Sequence, residues 1–357
     1  MQNRASGAPD AVVAALVYLL ASPLAGCSSN ALPAAGSVAP NDPAGEPAAA
    51  RAFGSAALPD ASVKKKKATP LVYLAGSFDS SSDVLIYDAN AAKGTQSPIG
   101  SITTGIDGPQ GMATDKNGNL YVANNYANTV TVYAPGQTKP HQTIADGLNG
   151  PVDVKVDAFG NVYVANAPAA GGQNYIVKYS QGSQYESGVW LMPAGSLITG
   201  IALLNPTVAG ETSVFGLSAV QQSSGFWRGG VFACVLKNTN CTSLYGYDMG
   251  LTGGIAVARS STPKKEVGFL AIDKYLGGLY YFRGSTLEAR WVTGGTPIFV
   301  TMNAKDTAYF VSIDLFNESE VSGAFEFSFP GNKPLVEFQS DALRPTGVAV
   351  YPSGDYH

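Results

Sequence analysis

Histidine is almost missing from this chain: His141 and His357 are the only two in 357 residues. That narrows the chemistry at once. A metal centre built from clustered imidazoles has too few ligands. A Ser-His-Asp arrangement has no support either, because there is no G-x-S-x-G elbow and His141 has no evident partner. Charge is scarce too, at 13% of residues, with Lys+Arg 22 against Asp+Glu 26 and a net charge of −4. A nucleic-acid-binding surface needs an excess of Lys and Arg, so no nucleic-acid partner is expected. Long Leu/Glu/Lys-rich helical stretches are absent as well. What is abundant is Gly (41) and Tyr (18), with Asn, Ser and Thr spread throughout. Gly and Asn tolerate turn dihedrals, and β-branched and aromatic residues suit pleated surfaces, so this composition favours many short strands joined by tight turns.

The first 70 residues read as an address and a tether. Arg4 gives residues 1–26 a positive start, and AVVAALVYLL (Ala11 to Leu20) is an apolar run too short to span a bilayer stably. Leu24-Ala25-Gly26-Cys27 follows, which resembles the lipobox of bacterial lipoproteins. The competing account is an ordinary signal peptide with an incidental cysteine. The resemblance implies an acylated Cys27 as the mature N-terminus and an exported protein held to the bilayer, since several acyl chains anchor stably where one does not. Ser28 behind the cysteine, with no Asp, resembles the outer-membrane sorting pattern in a host with two membranes. Residues 27–68 are Ala, Pro, Gly and Ser with few large apolar side chains, which cannot bury enough surface to fold. As a flexible coil of about 40 residues they would span roughly 35 Å. The run Lys64 to Lys67 ends this tether, as a solvated spacer or as a contact for anionic lipid or polymer.

Residues 69–357 repeat. GPQGMATDKNGNLYVANN begins at Gly108, and GPVDVKVDAFGNVYVANA begins 42 residues on at Gly150. Each reads as turn, strand, Asp/Gly turn and second strand. Weaker copies start at Ile198 (ITGIALL), Thr252 (TGGIAVA), Pro297 (PIFVTMN) and Pro345 (PTGVAVY). Alignment puts Gly111, Asp153, Gly200, Gly254, Phe299 and Gly347 in one column, followed by an apolar column from Met112 to Val348. The last copy ends after one strand, and its missing partners stand at the front as LVYLAGS, DVLIYDA and IGSITTG. The expected fold is all-β: a six-bladed β-propeller whose N- and C-terminal strands share the closing blade, so that no sheet edge is left open.

Over residues 104–183 the repeats resemble the NHL-repeat family, whose consensus runs close to P-x-G-V-A-V-D-x-x-G-N-V-Y-V-A-D. The resemblance implies a propeller with a central channel lined by the first strand of each blade. It also implies one face that carries the blade-to-blade and second-to-third-strand loops. Cys234 and Cys241 flank a hairpin turn, and export favours a disulfide between them.

Propellers of this kind include enzymes. Calcium-dependent lactonases of the gluconolactonase type need oxygen ligands at the channel mouth. Here the lining positions Gln110, Val152, Asp153, Thr199, Gly253, Ile298 and Thr346 contain one carboxylate, Asp153. A second ring, Asn124, Asn166, Asp273 and Asp314, ends the second strands. It offers either calcium ligands or, as we expect, Asx caps that bond their own turns. No cofactor is expected. The loops carry aromatic and amide groups: Tyr126, Gln173, Trp227, Arg228, Tyr275 and Phe316. Rings and amides together suit a glycan, peptide or protein ligand, unless each ring packs within its own loop. The expectation is a monomeric, non-enzymatic binding or scaffold module, with a metal-dependent lactonase or hydrolase as the alternative.

Overall fold

The computed structural model describes residues 69–78, 81–90, 94–169, 171–204, 213–234, 240–246, 249–258, 268–274, 277–283, 286–292, 295–303, 305, 307–313, 323–328, 334–339 and 344–353. The expectations for Cys27 and the preceding signal segment, and for Tyr275, Asp314 and Phe316, lie outside the described residues. So does the tether up to residue 68.

Alternating short strands and Gly-containing turns produce meandering antiparallel sheets. The first uses β1 (Leu71–Phe78), β2 (Ser81–Asp88), β3 (Gly94–Gln96) and β4 (Gly100–Ile102), of which β3 leaves for another sheet. The second comprises β5 (Pro109–Thr114), β6 (Leu120–Asn124), β7 (Thr129–Tyr133) and β8 (Gln142–Ile144). The third comprises β9 (Pro151–Val156), β10 (Val162–Asn166), β11 (Tyr175–Tyr179) and β12 (Glu186–Leu191). The fourth comprises β13 (Ser196–Leu204), β14 (Ser213–Gln221), β15 (Trp227–Cys234) and β16 (Cys241–Gly246). The fifth comprises β17 (Thr252–Ala258), β18 (Gly268–Asp273), β19 (Gly278–Arg283) and β20 (Thr286–Val292). The sixth comprises β21 (Thr296–Met302), β22 (Thr307–Ile313), β23 (Gly323–Ser328) and β24 (Pro334–Gln339), and β25 (Arg344–Tyr351) ends the chain.

The last strand completes the first sheet, whose order is β25-β1-β2-β4. Leu71 faces Tyr351 and Ala75 faces Gly347, the pairing the sequence implied. Inner strands touch in a cycle: β5 meets β9, β9 meets β13, β13 meets β17, β17 meets β21, β21 meets β25, and β25 returns to β5. Each seam between neighbouring sheets holds its own apolar cluster. Val72, Leu74, Phe299, Tyr309 and Val348 fill one; Tyr73, Ala75, Met112, Val122 and Tyr133 fill the next. Successive β1 residues thus face opposite neighbours, and both faces must be apolar because both are covered. The fold is an all-β propeller.

Two local features explain the repeat motif. Between β5 and β6, Asp115 accepts bonds from the amides of Asn117 (2.8 Å) and Asn119 (2.9 Å) and from Asn119 Nδ2 (2.7 Å). Asp157 does the same with Phe159, Asn161 and Asn161 Nδ2. The Asp-x-x-Gly-Asn signature is therefore a turn lock. Gly118 and Gly160 supply the positive φ, 85° and 84°, that the turn requires. One feature departs from the four-strand pattern. β3 crosses to pair in parallel with β24, so the sixth sheet has five strands, in the order β21-β22-β23-β24-β3. This covers the outer edge of β24. The disulfide Cys234–Cys241 forms as expected, across directly opposed positions of β15 and β16.

Candidate functional site

The inner strands all begin at one end of the ring, here called the mouth, and each has a bulge there. Its register against its neighbour slips between Pro109 and Met112, between Ile198 and Gly200, between Thr252 and Ile255, and between Pro297 and Phe299. The same slip occurs opposite Ala165/Asn166 and Ala75/Gly76. A bulge inserts a residue without a ladder partner and re-aims its side chain. The inserted positions include Gln110, Val152, Thr199, Gly253, Ile298 and Thr346, so the lining set expected from the sequence, apart from Asp153, lies at this end of the ring. Thr199 and Thr252 share a 2.7 Å hydroxyl–hydroxyl bond, and Thr346 Oγ1 donates to the Pro109 carbonyl at 2.6 Å.

Below the mouth the aligned column fills the axis, where the family resemblance had implied a channel. A Cβ on Gly347 would strike the Gln110 carbonyl, and one on Gly111 would meet both the Asp153 carboxylate and the Phe299 ring. These glycines are there for close approach. Asp153 is fully buried. Its Oδ1 accepts from Lys155 Nζ at 2.7 Å, and its Oδ2 from the Ile201 amide of the next sheet at 2.9 Å. The Lys155 ammonium also lies 5.3 Å from the Phe299 ring centroid. Burial raises the Asp153 carboxyl to about 6, against the opposing pull of Lys155 and two amides. Asp153 is thus the partner of an internal cation and sits away from the open mouth.

The Asx ring also has a structural task, though a different one from the turn cap expected. Asn124 Oδ1 accepts from the Asp107 amide (3.1 Å), Asn166 Oδ1 from the Asn149 amide (3.0 Å), and Asp273 Oδ2 from the Gly250 amide (3.1 Å). All three residues are fully buried. Each ties the end of a second strand back to the linker that enters its own inner strand. The bond runs upstream to the linker, because that is where amides are left without a ladder partner. Among the described residues no group of three or more His, Cys, Asp or Glu is placed to hold a metal.

The loop residues separate into braces and open groups. Gln173 Nε2 donates to the Met192 carbonyl at 2.7 Å, bracing its own loop. Trp227, expected as the leading ligand-face ring, is half-buried, and its indole N–H is enclosed without a hydrogen-bond acceptor among the described residues. The exposed ring of that hairpin is its neighbour Phe226, at 48% exposure, and Arg228 is exposed beside it. Tyr126 is open at 70%. Its ring nevertheless has a floor: it lies so close over Gly108 (φ +59°) that a Cβ there would stand 2.5 Å from ring atoms. Its loop is pinned on both sides of the ring. Asn125 Nδ2 donates to the Pro151 carbonyl (3.2 Å), and Asn128 Oδ1 accepts from the Gly150 amide (2.6 Å). Asn128 adopts a positive φ of 54° to do this. Sequence reading singled out the ring but missed these braces; the Asn-Asn-Tyr-Ala-Asn spacing is the signal that carried them.

No protein-family model and no curated protein matches the chain, so the NHL resemblance rests on the repeats themselves. Solved structures do match. One is from a nidogen/laminin complex, with 13% identity, TM-score 0.54, and coverage of 79% of this chain and 98% of that one. A protein of unknown function from Bacteroides caccae has 9% identity, TM-score 0.55 and the same coverage. A functionally unknown protein from Desulfotomaculum acetoxidans has 13% identity, TM-score 0.50, and coverage of 78% and 98%. At such identities the likeness extends to the fold, and it supports the architecture read from the strands: a β-propeller.

Proposed function

We propose that this is an envelope-anchored, non-enzymatic propeller of six blades that binds an envelope or extracellular glycan or peptide through its mouth-side loops. The six seam clusters and six bulged inner strands support the blade number. The observation that carries the binding reading is Tyr126. A ring 70% exposed, floored by Gly108 and held in a loop pinned to the next sheet, is preorganised for stacking and costs little entropy to use. On a glycan and peptide array, Tyr126→Ala should weaken capture by about 2 kcal/mol, some thirty-fold, with unfolding unchanged. Equal capture by the variant would overturn the reading. So would an array without hits combined with a chelator-sensitive lactone or ester hydrolysis, which is the enzymatic alternative.

The anchor is supported by LAGC at residues 24–27 behind its apolar run. Cys27→Ser should move the protein from the membrane to the soluble fraction and abolish incorporation of labelled fatty acid. A variant that stays with membranes and still takes up label would exclude lipidation at this residue.

A further inference from the structure

Lys274 follows Asp273 at the mouth end of β18. Its amide donates to the Leu251 carbonyl at 2.8 Å, as the amide of Asn125 does to Gly108 (2.9 Å) and that of Ala167 to Gly150 (2.8 Å). The three residues therefore occupy one structural position. In the second sheet, the Asn125 side chain leaves this position for Pro151, the first residue of the next inner strand. The same register puts the Lys274 backbone at the mouth, where β18 lies beside β21. Its side chain is 7% exposed, and among the described residues no carboxylate pairs with it and no oxygen accepts from its ammonium. Burial lowers its pKa to about 8. Buried ammonium groups are normally paired, because desolvation is costly without a counter-charge. The contrast with Lys155, which has Asp153, is internal to this molecule.

Resting on the binding reading above, we propose that Lys274 is the anion-recognising group of the mouth and takes the carboxylate of an acidic saccharide. Gln110, Thr199 and Thr346 provide hydroxyls and an amide around the mouth, which match sugar hydroxyls. A peptide would instead look for a bare strand edge or an apolar groove. Lys274 keeps 7% of its surface exposed, and a ligand carboxylate reaching its ammonium would replace the hydration that burial removes.

The test is calorimetric titration of the full chain with tri-galacturonate and with galactotriose, its uncharged counterpart, at pH 7. Wild type should bind the acid at least ten-fold more tightly than the neutral sugar. Lys274→Met should erase that difference while retaining the neutral affinity, and its melting temperature should be unchanged or higher. Equal binding of both sugars by wild type would overturn the role of Lys274 and leave the saccharide reading standing. A preference that survives in Lys274→Met would do the same. A melting temperature several degrees lower would show an internal counter-charge and overturn the proposal. Failure of wild type to bind either sugar would overturn both the inference and the saccharide reading beneath it.

Discussion

A chain ending at Arg344 should show no cooperative thermal transition. β25 contributes the fully buried Val348, Ala349 and Val350 to two different seams, with Val348 and Val350 on one side and Ala349 on the other. Burial of a valine side chain is worth about 1.5–3 kcal/mol. The strand also supplies the whole inner ladder of β1, from Leu71–Tyr351 to Ser77–Arg344. It holds the neighbouring inner strand as well: Thr114 Oγ1 donates to the Val350 carbonyl at 2.7 Å, and Thr346 Oγ1 to Pro109. Removing it strips β1 of one partner and bares apolar faces of the first, second and sixth sheets. Those losses together match or exceed the roughly 5–15 kcal/mol by which domains are stable. Circular dichroism through a thermal ramp, with dye binding to report exposed apolar surface, checks this. A sharp transition at the wild-type temperature would mean that closure does not depend on β25.

Lys155→Met should cost about 3–5 kcal/mol near pH 8, among the largest effects expected of a point change in this protein. It leaves Asp153 fully buried with its amide donors but without its cation. Burial already holds that carboxyl near 6 in the native protein, and loss of Lys155 removes an influence that lowers it. A carboxyl whose folded pKa lies above its unfolded value gives its full stabilisation below the unfolded value. That contribution is lost as pH rises through the folded value. The deficit of the variant should therefore be largest in mild alkali and shrink towards pH 5, where Asp153 becomes neutral. The double variant Asp153→Asn/Lys155→Met should recover part of the loss at pH 8. Denaturant melts across pH 5–8 measure this, and a pH-independent deficit would mean that Lys155 matters through packing against Phe299 rather than through charge.

The contrast between these two predictions shows what the sequence carries. The ring was legible because Asp115 and Asp157 lock identical turns, and residues that lock turns recur at a fixed spacing. Closure was legible because LVYLAGS and GVAVY are each incomplete without a partner. β3 was not legible: a three-residue strand, Gly-Thr-Gln, is too short to show an alternating pattern. The role of Asn124 and Asn166 was hidden for a related reason, since each acceptor bonds a linker amide upstream and sequence does not mark which amides lack partners. Lys274 stood in a loop read for its ring, Tyr275. Its burial, and the lack of a paired carboxylate among the described residues, are properties that only three-dimensional packing defines. Trp227 and Tyr126 looked alike as loop aromatics, and only Tyr126 received a glycine floor and an open face.

The way the chain enters the ring also sets how it bears load. β1 begins at Leu71, at the end opposite the mouth, and lies between β25 and β2 in the middle of its sheet. A pull on residue 69 runs along β1 and across the hydrogen bonds on both of its sides, which stand perpendicular to the strand. Those bonds are stressed together in shear, so the first strand cannot peel away one pair at a time. The anchor proposed at Cys27 would load the ring in the direction in which this strand is mechanically strongest.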